Sequence, residues 1–259
     1  MEDEQIYVIV IIVFIIIGCY GYSSTNYIPK VIHKVYIQND GTIPDKLDSH
    51  IEESHQSWIN LNPGYTIKYW SLNDCREYLT NNFPDEYLKT FDSIQAYSVK
   101  CDFFRFCIIY NEGGWYSDWK QVCLVDNLLD KLSLEGDILF YYDKGNPYSI
   151  YNKYTAVAFF GSIKYHPILK EAIDTIISNT DKKYYGNSVL DVTGPGIMGN
   201  ILKNTNTNPY YGYFKDNYYY YDYKLGKIIQ HKCNNCEKGQ DWKNGNNYAE
   251  LWNSNKFYG

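Results

Sequence analysis

The sequence predicts an α/β fold: one layered domain on a mixed, mainly parallel sheet, preceded by an N-terminal transmembrane helix. Three observations predict it. Short β-branched segments interleave with segments of helical periodicity along the chain. No internal repeat and no Pro/Gly/Ser-rich linker divides residues 28–259, so they read as one domain. Ahead of them, Ile6 to Ile17 is an unbroken apolar run behind the acidic flank Glu2-Asp3-Glu4.

The elements follow in order. Ile6 to Tyr22 spans 17 residues, roughly 25 Å as a helix, the lower limit for crossing a bilayer. Tyr7, Tyr20 and Tyr22 sit where interfacial aromatics belong. A cleaved signal peptide is the rival reading, but it wants a basic flank, and this one is acidic. Residues 1–27 therefore read as a single-pass anchor and short stem, in an endomembrane or a host membrane. Lys30 and Lys34 after the span favour a cytosolic carboxyl side, against a lumenal enzyme, and the orientation stays open.

Ile28 to Ile37 alternates apolar and polar residues as a strand does. Asp45 to Leu61 reads as a helix, Asn62-Pro63-Gly64 as a turn, and Tyr65 to Trp70 as a second strand. Ser71 or Asn73 caps a helix running to about Leu79. Ser93 to Tyr110 is the strongest helical segment, with Ile94, Tyr97, Cys101, Phe104 and Ile108 as one apolar stripe and Asp102 off it. Asp137 to Tyr142 and Tyr154 to Phe160 read as strands, and His166-Pro167 opens a helix to about Ile177. Asp191 to Gly196 is a turn into a short helix, and Gly226 to His231 a last strand.

Composition excludes some classes. A formal net charge of −6 argues against a nucleic-acid binder, which shows a basic face. Thirty tyrosines, with abundant Asn, Lys and Ile, read as the bias of an AT-rich genome rather than as a functional signal. Seven cysteines, an odd and sparse set, do not make a disulfide scaffold. Cys233 and Cys236 form one CxxC with His231 nearby, and a local disulfide or two free thiols is the simpler account.

The chemistry concentrates in Ala96 to Lys120. Asp102 and Arg105, three apart, share one face of a helix. Gly113 and Gly114 permit a sharp turn. Tyr116 and Asp118 alternate on a strand and point to one side. A helix face and a strand end then converge on one anionic, polyhydroxylated ligand, a description that a sugar nucleotide meets. Taken singly, the same residues read as a solvated helical ion pair, a helix C-cap and a loop acid. His33 reads as a core residue.

Across most of the chain after residue 27, the motifs occur in one order. They are Ile28-Pro29-Lys30-Val31-Ile32-His33, Asn62-Pro63-Gly64-Tyr65 with Trp70, Asp102-x-x-Arg105, Tyr110 to Asp118, and Thr193-Gly194-Pro195. The sequence resembles glycosyltransferase family 32, the DxD sugar-binding-motif transferases that include initiation-specific α-1,6-mannosyltransferases and capsular polysaccharide sugar transferases. That resemblance implies a GT-A fold, a nucleotide-sugar donor, a glycan or glycoprotein acceptor, Mn²⁺ or Mg²⁺, and retention at the anomeric carbon. Carried over, Tyr36, Asp102, Arg105, Gly113, Gly114, Tyr116 and Asp118 contact the donor. Thr193, Gly194 and Pro195 lie on the acceptor side, Asp118 and position 120 carry the catalysis, and Asp118 holds the metal.

The sequence departs from the family at that last point. The acid pair reads Asp118-Trp119-Lys120. Unit charges ~4 Å apart interact by roughly 4 kcal/mol at an effective dielectric near 20, so an ammonium in place of a carboxylate reverses a term of that size beside a dication. Three outcomes stay open: a metal held by Asp118 with Asp241, a metal-independent transferase in which Lys120 neutralises the diphosphate, or a degenerate, non-catalytic binding or scaffold protein. The carboxyl-terminal segment departs too, with His231 and Trp242 as loose matches to a His-rich element and Gly-Ser-Trp. The expected function is transfer of a hexose or N-acetylhexosamine from the nucleotide donor to the acceptor.

Overall fold

The computed structural model describes residues 27–38, 41–143, 154–206, 208–215, 218–231 and 246–259. The expected anchor (all but Tyr27), the CxxC pair, Asp241 and Trp242 lie outside them. Among the described residues, no helix is long and apolar enough to cross a membrane.

The chain begins with β1 (Val31–Val35), α1 (Ser49–Leu61), β2 (Thr66–Trp70), α2 (Leu72–Asn82), α3 (Asp85–Ser93) and α4 (Tyr97–Glu112). It continues through β3 (Gly114–Ser117), β4 (Gln121–Cys123), α5 (Leu128–Leu132), β5 (Ile138–Asp143), β6 (Thr155–Ser162) and α6 (Pro167–Asp181). A 3₁₀ turn at Val189–Asp191 leads to α7 (Pro195–Lys203), then β7 (Tyr210–Lys215), β8 (Tyr219–Asp222), β9 (Gly226–His231) and α8 (Tyr248–Asn253). The strands form one nine-stranded sheet in the order β2-β1-β3-β6-β5-β7-β8-β9-β4.

The sheet is mixed, and the expectation of a mainly parallel one is corrected. Only β1–β2, β1–β3 and β5–β7 pair parallel. The pairs β3–β6, β5–β6, β7–β8, β8–β9 and β4–β9 run antiparallel. Helical crossovers join β1, β2 and β3, as parallel pairing requires, whereas β7, β8 and β9 follow one another over short connections and form a meander.

Both faces of the sheet are covered, which a period of two makes visible in the core. Tyr116, Phe140 and Phe160 enter one apolar cluster with α2, α3, α4, α6 and α7. Their neighbours Trp115, Leu139, Tyr141 and Phe159 enter the other, with Trp58 of α1 and the leucines of α5. Strands buried on both faces read as continuous apolar runs, as in Ile138 to Tyr142.

The strongest helical segment, read from Ser93, begins as a helix only at Tyr97 and runs to Glu112. α3 ends at Ser93, Ile94 bridges Tyr258, and α4 starts at Tyr97. Here the chain end intrudes: the Gln95 N–H donates to the Phe257 carbonyl at 2.9 Å and the Gly259 N–H to that of Ser93 at 2.7 Å. Tertiary hydrogen bonds thus override a continuous helical periodicity. The single-stripe reading of α4 is also too narrow, because Val99, Phe103, Phe106, Cys107 and Ile109 are buried beside Phe104 and Ile108. α4 is a central helix, and its charged pair is held inside the molecule rather than on a wet face.

Candidate functional site

The site is built where β1 and β3 end side by side. His33, fully buried in β1, approaches the Gly113 carbonyl through Nε2 at 3.2 Å and accepts at Nδ1 from the Trp70 indole at 3.1 Å. Accepting at Nδ1 leaves the proton on Nε2. Burial lowers its pKa to about 4, so His33 is a neutral brace, as the core reading expected. Gly113 and Gly114 have φ of 68° and 99°. A Cβ on Gly114 would lie 2.5 Å from Val31 Cγ1, and one on Gly113 2.8 Å from Pro29. The glycine pair therefore lets β3 pass close to β1. It lies at the opposite end of β3 from Asp118 and lines neither of the two cavities that Asp118 faces.

At the far end of β3 the expected charges converge. Arg105 Nη2 is 3.1 Å from Asp102 Oδ1 and 3.7 Å from Asp118 Oδ1. Its Nε donates to the Cys101 carbonyl at 3.1 Å and Nη1 to that of Val157 at 2.8 Å. The guanidinium lies 4.4 Å above the Tyr116 ring, a cation–π contact. The Tyr116 hydroxyl in turn donates to Asp118 Oδ1 at 2.7 Å. Burial opposes the charge on Arg105, but Tyr116, Asp102 and Asp118 outweigh it and its pKa is raised. Burial raises the pKa of Asp102, against the lowering effects of Arg105 and Thr193. Two donated hydrogen bonds and the ion pair with Asp102 fix the Arg105 guanidinium in place.

Arg105 and Asp118 face two adjoining cavities of about 260 and 310 Å³, which together form one cleft. The larger is lined by Tyr36, Tyr116, Trp119, Lys120, His231 and Tyr248 among others. The smaller is lined by Asp102, Asp143, Pro195, Phe214, Tyr220 and Tyr248 among others. A more open hollow of about 660 Å³ beside Tyr110 and Lys170 holds none of the expected site residues. Tyr36 is held against Trp119 at 4.5 Å between ring centroids, and Trp119 packs in turn on His55 and Tyr69. Beneath the strand end, the buried Lys34 ammonium donates to Ser117 Oγ and to the Asp118 carbonyl, both at 3.1 Å.

Thr193 and Gly194 back the cleft from behind Asp102. Thr193 is buried and donates to Asp102 Oδ2 at 3.0 Å, and a Cβ on Gly194 would lie 2.5 Å from the same oxygen. Pro195 alone of that trio reaches the cavity wall. Sequence reasoning missed Asp143, Phe214, Tyr248 and Lys34. Tyr220 is one of the tyrosines read as compositional bias. Tyr220 is in fact buried on β8 and forms the cleft wall with Phe214, at 4.6 Å between rings.

The described residues do not fit a divalent cation. Among them no cluster of three His, Cys, Asp or Glu stands ready to hold one. Asp118 Oδ1 already accepts from Tyr116 and faces Arg105. Two residues on, where a second carboxylate would complete the ligand set, stands the Lys120 ammonium.

A buried Arg105 between two partly exposed carboxylates thus stands at a strand end beside an aromatic-lined cleft. Residues 48–135 match the family described as "Glycosyltransferase sugar-binding region containing DXD motif". The chain is 36% identical over 107 residues to the "Uncharacterized glycosyltransferase L373" of Acanthamoeba polyphaga mimivirus, covering 41% of each. It is 27% identical over 178 residues to the "Mannosyl phosphorylinositol ceramide synthase SUR1" of Saccharomyces cerevisiae, covering 68% of this chain and 42% of that one. The chain thus spans about two fifths of the length of these curated relatives. Among solved structures, the "PaToxG Glycosyltransferase" aligns at a TM-score of 0.47 and 18% identity, over 73% of this chain and 76% of that one, a likeness too distant to carry functional meaning.

Proposed function

We propose that this chain is a membrane-anchored hexosyltransferase of GT-A type that moves a hexose or N-acetylhexosamine from a nucleotide sugar to a glycan or glycoprotein, with retention. One observation carries the reading: Arg105, Asp102 and Asp118 face a common cleft, with guanidinium-to-carboxylate distances of 3.1 and 3.7 Å. Charge builds on the nucleoside diphosphate as the glycosidic bond breaks. A fixed, permanently charged guanidinium meets that charge without reorganising. Asp102 and Asp143 offer acceptors to sugar hydroxyls from the smaller cavity. Tyr36 offers a ring to the nucleobase at the other end. No side chain in the cleft is assigned as a covalent nucleophile, so the acceptor hydroxyl attacks from the face the leaving group vacates. The apolar run 6–17 would tether the domain to its membrane.

Relatives whose names include inositol phosphoceramide mannosyltransferase make mannose the first sugar to test and an inositol-phosphate head group a second acceptor class. The test is a screen of nucleotide sugars, GDP-mannose first, for donor hydrolysis and transfer with and without Mn²⁺. Turnover of one donor supports the transferase. Lys120 in the acid position favours one alternative, a non-catalytic member of the same fold. A thermal shift with nucleoside diphosphate but no turnover of any donor establishes that binder, and neither response leaves a scaffold.

A further inference from the structure

We infer that the cleft binds the diphosphate of its donor without a divalent cation, the Lys120 ammonium standing in for the metal. This deepens the transferase reading above and rests on it. The argument begins with charge. Two carboxylates and a dication sum to zero, and one carboxylate with one ammonium also sum to zero. Asp118-Trp119-Lys120 therefore has, unloaded, the net charge that an acid pair reaches only with its metal bound.

Among the described residues, the surroundings assign that role to Lys120. Arg105 faces the same diphosphate, but its single charge is already offset by Asp102 and Asp118 and does not replace a dication. The Lys34 ammonium is committed beneath the strand to Ser117 and the Asp118 carbonyl. His231 stands across the β4–β9 ladder, where Gln121 pairs with it. Burial lowers its pKa, so it adds no full charge at neutral pH. Lys120 lines the larger cavity, is only half buried, and has no acidic partner among the described residues. It adjoins Trp119, whose ring is gripped by Tyr36, His55 and Tyr69, so the turn that carries it is anchored one residue away. An ammonium is a compact point charge with three rotatable donors, suited to phosphate oxygens whose position varies. No bond forms or breaks at Lys120: its part is to neutralise charge.

The test is calorimetric titration of the full chain with UDP and with GDP, in EDTA and in Mn²⁺. The expected result is a Kd for at least one nucleotide that agrees within about twofold between the two conditions. Lys120→Ala then weakens binding in EDTA at least tenfold, Lys120→Arg retains it, and Lys120→Asp binds only when Mn²⁺ is added. Circular dichroism confirms that the variants fold, and the Ala and Arg pair decides the matter should the Asp variant not. Wild-type binding that disappears in EDTA and returns with Mn²⁺ overturns the inference while leaving the transferase reading in place. Unchanged binding by Lys120→Ala in EDTA overturns the assignment to Lys120. Failure of both nucleotides under both conditions removes the donor site itself, and the inference with it.

Discussion

Lys34 and Arg105 show how single buried cations set the behaviour of this site. Lys34 is fully buried, and desolvation lowers its pKa from the ordinary 10.5 to about 7, with Asp118 and Cys123 pulling the other way. Between those two values the unfolded chain binds the proton that the fold has released, so stability rises with pH across that window and is lowest below pH 7. Replacing Lys34 with Met should remove that slope. From pH 6.5 to 9, the urea-derived stability of the wild type should gain about 2–3 kcal/mol more than that of Lys34→Met. A parallel pair of pH profiles would show that the ammonium stays charged where it lies. Arg105 makes a different demand, because its fork reaches the Cys101 carbonyl, the Val157 carbonyl and Asp102 at once. A lysine cannot span three such directions. Arg105→Lys should therefore cost about 1–3 kcal/mol of stability and lower nucleoside diphosphate affinity at least tenfold, read by denaturation and calorimetry.

The two glycines before Asp118 act at the scale of the element. Gly114 has φ of 99°, and its absent Cβ makes room for Val31, whereas Gly64 has φ of 89° with nothing within 4 Å. Comparing alanine at each position separates backbone strain from collision. Gly64→Ala should cost about 1–2 kcal/mol, the price of a left-handed alanine alone. Gly114→Ala should cost at least 2 kcal/mol more, because β3 must move away from β1. Equal losses in thermal unfolding would show that the strand has slack. Elements of this kind were legible where local chemistry decided them. The Ser71 cap is present with its full capping box to Asp74, and His166-Pro167 opens α6 as read. α3 and the break at Ile94 were hidden because partners more than 150 residues away decide them. β4 and β7 escaped notice, since β4 is only three residues long and the tyrosine-rich β7 resembles the chain's general composition.

Across the whole molecule, the half of the site nearest α4 and β3 was readable, because one continuous motif encodes Asp102, Arg105, Tyr116 and Asp118. The opposing wall was not, since Asp143, Phe214, Tyr220 and Tyr248 come from four separate elements that only the sheet order brings together. Tyr248 is the most distant of these and the most open to test. It begins α8, whose Asn247 cap accepts from the Ala249 and Glu250 N–H groups at 2.8 and 3.1 Å. Just before it, Asn246 ties the returning chain to α4 by accepting the Tyr97 N–H at 2.7 Å and donating to the Gln95 carbonyl at 3.1 Å. Further on, Phe257 is fully buried in the core. The carboxyl-terminal segment is thus fastened on both sides of Tyr248, while the ring itself borders both cavities and remains 37% exposed. A ring so placed contributes to a ligand rather than to the fold. Tyr248→Ala should leave the melting temperature within about 2 °C of wild type, since surface changes remain within about 0.5 kcal/mol. It should weaken the bound nucleotide sugar by about fivefold or more, a loss in the range of one aromatic contact. Phe257→Ala should show the converse, about 3–5 kcal/mol of lost stability. If Tyr248→Ala melted early and bound normally, the segment would be a structural clasp and the cleft would end at Tyr220.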